Sequence, residues 1–582
     1  MIRLVLWFFY DVTLYPIALC AWWLRRRSVL RRARAVKLHL TRMPQIRSGR
    51  RLSRRMSLAD LAADLDQASA DPLVRGLFVS LDGFRASAVD FFELAVLIER
   101  FKRSGKLLHV FIERVDWRSL IVGRAADRLT TDASGPVMVH GIGVEMPFMG
   151  ELLERHGIDV QVLQRGEYKG VMEPFARREP SPALLESMQG LVDSLFERAA
   201  EELAKRRDFD PERMRAALEE GPYTVTQAVE RKLIDAAVPA EEAENDLADA
   251  CGGAPAPSPK RTRPTPPEKG ARSGAPLKRL PALRRSGAVR PAPLPLTKPP
   301  RLAFVPVTGL IVDRPLGLNR RQAAVATELV PRIRGLADAR GIEAVVLVVD
   351  SRGGTTTASD MIWSAARYAL AKKPVVAWMR TYAASGGYYV AVAAERIIAS
   401  PFTITGSIGV VASKPNVAEA VARLGIHPVS ITRGRGALLA SPFRPLTGSE
   451  LAWLEAYVNE SYERFKSIVA EGRRMSVEAV EQVARGRVWT GPQAHERGLV
   501  DSIGAFPDVV AAARELAGIP ARKQHEVIWA ARREGLWQIA RRLTLLGPGA
   551  AEMLLPELDT LLEPLLLCRQ GGALYYMPLV WQ

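Results

Sequence analysis

"IEAVVLVVDSRGGTTTASDMIWSAARYALAKKPVVAWMRTYAASGG", residues 342–387, holds the pattern from which the fold is read. Its opening run, "IEAVVLVVD", is apolar and β-branched with no regular polar alternation, which predicts a strand buried on both faces. The glycine pair in "SRGG" (351–354) then lets the backbone turn. A helical pattern follows through "DMIWSAARYALA" (360–371), and "PVVAWM" (374–379) reads as the next strand. Strand, helix and strand in that order argue for a parallel α/β domain. In open parallel sheets the loops at the strand C-termini carry the site. "SRGG" and "AASGG" (383–387) both stand there. Ser385, with alanines before it and glycines after it, suits a nucleophile at a tight strand-to-helix turn. Its hydroxyl needs a base to take the proton, and no histidine is near.

The chain contains this domain twice. "SGKLLHVFI" (104–112) matches "AKKPVVAWM" (371–379), and "GRAADRLTTDASGPVMVHGIGV" (123–144) matches "YVAVAAERIIASPFTITGSIGV" (389–410) without a gap. "HGIDVQVLQRGEYKGVMEPF" (156–175) matches "LGIHPVSITRGRGALLASPF" (424–443), and "YTVTQAVERKLID" (223–235) parallels "WTGPQAHERGLVD" (489–501). Four matches in one order place the copies at 56–250 and 301–520. Between them, residues 252–300 are dominated by proline, glycine and basic side chains, the composition of a disordered linker.

A chain of 582 residues needs two or more cores, in keeping with the repeat. Its formal charge of +18 is unevenly spread: residues 25–55 carry +13 and residues 252–301 carry +11, which leaves −6 for the remainder. The basic charge therefore belongs to the flanks and linker, and no nucleic-acid-binding module is recognisable; nucleic acid is not expected as a partner. Cys20, Cys251 and Cys568 are far apart, without the spacing of a disulfide framework or a metal site. Residues 4–24 form an apolar run long enough to span a bilayer, interrupted by Asp11 and Pro16. Trp22 and Trp23 beside an arginine cluster suit an interfacial anchor. Residues 1–33 are expected to be a membrane anchor with a basic flank on anionic headgroups; the alternative is a buried core helix.

The two copies differ where chemistry would sit. In the ungapped match Ser385 falls opposite Ser119, which lies in "DWRSLIVG" with no glycine pair behind it. The "SRGG" loop corresponds to the region around "SLDGF" (80–84), also without the pair. Conversely, Lys169 in "RGEYKGVMEPF" falls opposite Ala437 in "RGRGALLASPF". Neither copy has a complete set, and together they have one.

On these residues the chain resembles the SppA family of signal peptide peptidases (protease IV), in its long tandem form. "YKGVMEPFARREPSP" is similar to that family's lysine motif, "DSRGGTTTASD" to its oxyanion loop, and "AASGGYY" with "TGSIG" to its serine region. The resemblance covers residues 56–520. It implies two tandem Clp/crotonase-like α/β domains with parallel sheets, and a Ser/Lys dyad in which Ser385 is the nucleophile and Lys169 the general base. Ser407, in "TGSIG", matches the serine that orients that lysine. It also implies cleaved signal peptides and other membrane-derived peptides as substrates, a homo-oligomer of ring-like tetramer form, no cofactor and no metal. The physical reading agrees: lysine is a poor base at its ordinary pKa, and burial in an apolar pocket lowers that value. Backbone amides of Gly386 and of Gly353 or Gly354 are placed to hold an oxyanion.

The family's oxyanion loop reads Asn-Ser-Pro-Gly-Gly, whereas here Asp350-Ser351-Arg352-Gly353-Gly354 stands, so Arg352 is expected to loosen the loop. Asp360 is assigned to the helix after that loop rather than to a triad, and His140, His156, His427 and His495 to structural places. Residues 521–582 form an apolar extension, read as a packing helix pair or a membrane-surface element. Two other functions fit parts of the pattern: a crotonase-type acyl-CoA enzyme, and a catalytically silent scaffold for membrane proteins. The resemblance implies attachment to the bacterial inner membrane by a single N-terminal anchor, with the domains periplasmic. The arginines after the apolar run argue instead for the cytoplasmic side.

Overall fold

The computed structural model describes residues 12–44, 56–206, 209–252, 282–283, 299–314, 323–520, 522–530 and 574–576. It divides into two compact units, Met1–Gly141 with Phe196–Pro299, and Ile142–Leu195 with Pro300–Gln582. These units do not follow the repeat boundaries. Residues 142–195 belong to the first copy in sequence but pack with the second, because strand Asp159–Arg165 pairs antiparallel with Val410–Asn416 over seven residues. That exchange decides where Lys169 goes.

The larger unit is built on the stretch from 342 to 387. Ile342–Ser351 is a strand, Thr356–Leu370 a helix and Val375–Ala384 the next strand. The two strands pair in parallel, Val345 opposite Val375 and Val349 opposite Met379. Arg301–Thr308 joins in parallel on the other side of Ile342–Ser351, and Glu526–Trp529 beyond it. Past Val375–Ala384 the sheet forks. Arg396–Ala399 pairs with its first half and Ile404–Gly406 with its last residues, both in parallel. Burial explains the unbroken apolar run: Val345, Leu347 and Val349 pack with the helices on one face. Across the sheet, Phe304 and Trp378 pack against Phe506 of helix Phe506–Leu516, at 5.7 Å between ring centroids in each pair. Each such buried side chain contributes roughly 1.5–3 kcal/mol.

The smaller unit carries a five-stranded parallel sheet in the order Ala35–Leu40, Gly76–Leu81, Leu107–Ile112, Arg128–Thr131, Ala236–Ala237. Helices Leu58–Ala70 and Ala88–Lys102 each begin with a capping box, Ser57 with Asp60 and Ser87 with Asp90. The expected α/β architecture with parallel sheets is thus present in both units.

Hydrogen bonds fix the register between the copies. Met149 N donates to Pro174 O at 2.6 Å, and Val417 N to Pro442 O at 2.7 Å; Ile158 N donates to Leu153 O, and Ile426 N to Val421 O. Each pair differs by 268 positions. The same spacing relates Arg128–Thr131 to Arg396–Ala399, so the ungapped match of 123–144 with 389–410 is two residues out. The chemical likeness of "GIGV" to "SIGV" outweighed the strand pairing there. Ser385 and Asp116 are each the N-cap of the helix that follows, so Ser119 is not the counterpart of Ser385.

Three expectations about the ends and linker meet the structure. Helix Tyr15–Ala33 follows residues 1–11, which lie outside the described residues, and among the described residues no helix is long and apolar enough to cross a membrane. Part of the basic flank is engaged in the smaller unit. Arg26 Nη2 is 2.7 Å from Asp71 Oδ1, Lys37 Nζ is 2.8 Å from Glu244 Oε2, and Ala35–Leu40 is a sheet strand that precedes residue 56. Within the linker, Leu283 is buried and its N–H donates to Lys37 O at 2.9 Å; residues 253–281 and 284–298 lie outside the described residues. Of the C-terminal extension, Glu526–Trp529 is a sheet strand. Leu574–Tyr576 runs antiparallel to Gly353–Thr355, with Gly353 opposite Tyr576. Residues 531–573, Cys568 among them, are likewise outside the description, so a helix pair there is untouched.

Candidate active site

Ser385 ends strand Val375–Ala384 and precedes helix Gly386–Ala391 with φ 54° and ψ −117°, a conformation that non-glycine residues rarely adopt. Its neighbours hold the strain. Ser385 N donates to Gly406 O at 2.8 Å, and Tyr389 N donates to Ser385 O at 2.9 Å. Ser407 is also at φ 54°, with its N–H donating to Arg487 O at 2.7 Å. Two strained serines on adjoining strand ends turn their hydroxyls toward one point.

Lys169 occupies that point. The strand Asp159–Arg165 delivers it, and the N–H of the preceding Tyr168 donates to Arg485 O at 2.9 Å. The lysine side chain is fully buried, with Nζ 2.6 Å from Ser385 Oγ, 2.8 Å from Ser407 O and 2.9 Å from Ser407 Oγ. All three partners are uncharged oxygens. Burial therefore pushes the Lys169 pKa well below its ordinary value, with no carboxylate to hold the proton. A neutral amine has two N–H donors and one lone pair. It fits this pocket by donating both protons to Ser407 and accepting the Ser385 O–H. Lys169, Ser385 and Ser407 are thus brought together as the sequence predicted.

The glycine loop adjoins the serine turn. A Cβ on Gly386 would lie 3.1 Å from Gly354 N and 3.2 Å from Gly353 Cα, and one on Gly354 would overlap Ile311 O at 1.8 Å. Gly353 itself sits at φ +117°. Its amide donates to Ser351 Oγ at 3.1 Å, so of the two loop glycines the candidate oxyanion donor is Gly354.

A family model, Peptidase family S49, matches residues 100–252 and 368–520, again 268 apart at both ends. The chain belongs to peptidase family S49. It is a serine peptidase that carries the S49 domain twice. It is 30% identical over 475 residues to the chloroplastic serine protease SPPA of Arabidopsis thaliana, covering 81% of this chain and 67% of that one. Protease 4 of Haemophilus influenzae is 27% identical over 485 residues, covering 81% and 74%. Among solved structures, a mutant ClpP1 from Listeria monocytogenes matches 36% of this chain and 94% of its own, at TM-score 0.25 and 16% identity.

In this S49 chain the remaining candidates fall in structural roles. Ser119 Oγ is 2.9 Å from Asp116 O and accepts the Asp116 N–H, closing a capping box. Asp360 accepts from Tyr389 Oη at 2.6 Å and from Arg464, as a buttress of the helix after the loop. Arg352, expected to loosen the loop, makes a contact on the next strand. Its guanidinium lies over the Tyr382 ring at 4.4 Å, a cation–π contact where the family motif has a proline.

Two glycines that the sequence reading left without a role form the seat of Lys169. A Cβ on Gly486, which has φ +79°, would fall 2.6 Å from Lys169 N, and one on Gly409 would fall 3.2 Å from Lys169 Cδ. Gly409 stands in the quoted "TGSIG"; Gly486, in "ARGRVW", gives no local signal.

Proposed function

We propose that Ser385 and Lys169 are the nucleophile and general base of a membrane-associated endopeptidase that hydrolyses cleaved signal peptides and other apolar peptides. The carrying observation is a buried amine with no anionic partner, 2.6 Å from the Ser385 hydroxyl. Neutral Lys169 takes the Ser385 proton as Oγ bonds to the scissile carbonyl carbon. The oxyanion forms beside the amides of Gly354 and Gly386, which cost no reorganisation. Protonated Lys169 then delivers its proton to the leaving amine as the C–N bond breaks. Water, deprotonated by the same amine, attacks the acyl ester and restores Ser385. Ser407 holds the amine in line through its hydroxyl and carbonyl. Substrate chains would take the place of Leu574–Tyr576 beside Gly353–Thr355, whose other side pairs with Leu310–Val312. The N-terminal segment would provide the membrane contact with lipid, and the chain would work as a homo-oligomer.

A fluorophosphonate probe tests this reading: it should label Ser385 and leave Ser119 untouched, on intact-protein digestion and mass analysis. Labelling at Ser119, or none at Ser385, rejects it. The pH profile gives a second check. Lys169 acts only when neutral, so kcat/KM should fall tenfold per unit below its folded pKa and be flat above it. Because burial lowers that pKa from 10.5, the plateau should begin well below pH 10. An acid limb centred near 10.5 would mean a solvated lysine.

A further inference from the structure

The contact that delivers Lys169 is made once, although the chain carries both of its parts twice. In one chain, strand Asp159–Arg165 lies along Val410–Asn416, and Gly157 O accepts the Ala420 N–H at 3.1 Å. Shifted by 268, the first strand becomes residues 427–433. Shifted back by 268, its partner becomes residues 142–148. Within the chain these two segments join no strand. Residues 424–433 are exposed throughout, with Val429 at 88% and Ile431 at 95%. Gly157 is crowded by Ala420, whereas its equivalent Gly425 has nothing within 4 Å. The operation that carries the first copy onto the second does not return the second copy onto the first, so the equivalent contact needs another chain.

We propose that residues 427–433 of one copy add as an antiparallel strand to residues 142–148 of a second copy of this chain. This gives the self-association proposed above its surface. The in-chain register places Leu163 opposite Ala412 and Gln161 opposite Lys414. Transferred, it sets Ile431 opposite Val144 and Val429 opposite Met146. Val144, Met146 and Phe148 already turn one face onto the cluster of Leu184, Met188 and Leu191, while Gly143, Glu145 and Pro147 face out. Directly opposed side chains in an antiparallel pair share a face. Val429 and Ile431 therefore extend that cluster and lose their exposure. The contact is head-to-tail, the class that builds rings when the rotation closes.

The test uses the full chain with Cys20, Cys251 and Cys568 replaced by Ser. Glu145→Cys and Ser430→Cys fall opposite one another, and the two single variants are co-expressed and treated with a short bismaleimide. A covalent dimer should form in the mixture and in neither variant alone. Independently, Val429→Asp with Ile431→Asp should reduce the sedimenting mass from a multiple of 64.0 kDa to that of one chain. A cross-link absent from the mixture, an assembly unmoved by the aspartates, or a single-chain mass for the unmodified protein overturns the proposal. Vesicle binding by residues 424–435 in a chain of single-chain mass also overturns it, assigning the segment to lipid. Peptidase activity read on the same variants separates this outcome from the dyad, which stands if dissociated chains still hydrolyse peptide through Ser385.

Discussion

Ser385→Ala and Lys169→Met should each lower kcat/KM for peptide hydrolysis by about 10⁴-fold or more, and the double variant should be no worse than either alone, because the parts of one proton-transfer unit are not additive. Methionine keeps the apolar length of Lys169 and removes only the amine, so the loss reports the base and not an emptied pocket. Thermal unfolding across pH adds a signature that a merely structural lysine lacks. The folded-state pKa of Lys169 is lowered, so between that value and 10.5 the unfolded chain binds one more proton than the folded chain. Stability from this group is therefore lowest on the acid side and rises with pH through that window. The Tm of the native chain should gain on that of Lys169→Met as pH rises from 7 toward 10. Robust hydrolysis by Lys169→Met would remove the amine from the mechanism. A Tm difference that stays constant with pH would mean that the amine is solvated and charged throughout.

The strand–helix–strand from 342 to 384 was legible because each element carries its own signal. A doubly buried strand has no polar alternation to confuse the reading, and the glycine pair marks the turn. Ser385 and Lys169 were legible through the repeat, since each is missing from the other copy. Less visible was what depends on pairing at a distance. The two-residue register error arose because "GIGV" looks like "SIGV", and only the partners in each sheet set the spacing to 268. The strand exchange that moves residues 142–195 into the larger unit leaves no mark in local composition. Strand Ala35–Leu40 was hidden by the basic residues in and around it, of which Arg26 is met by Asp71 and Lys37 by Glu244, acids far along the chain. The contact of Arg352 was not legible because its partner, the Tyr382 ring, lies on the next strand.

Gly486→Ala should lower kcat by about 10²-fold while the protein stays folded, the cost expected when a reacting group is misplaced by roughly 1 Å. The added methyl would lie 2.6 Å from Lys169 N and 2.7 Å from Lys169 Cβ. Those atoms cannot rotate away. Tyr168 N, one residue earlier, is fixed on Arg485 O, and Gly486 N donates to Ile408 O at 2.8 Å. Relief comes only by moving the lysine backbone away from Ser385 and Ser407, which lengthens all three contacts of Nζ. A lysine drawn out of its pocket is better solvated, so its pKa rises and the acid limb of kcat/KM should move to higher pH with it. The left-handed φ alone costs about 1 kcal/mol for a non-glycine residue. Gly518→Ala is the control for that term, having φ +62° and nothing within 4 Å of the new methyl. Both variants should lose comparable Tm from backbone strain, and only Gly486→Ala should lose turnover and shift its pH limb. Equal turnover in the two variants would show that Gly486 is a turn residue with no part in seating Lys169.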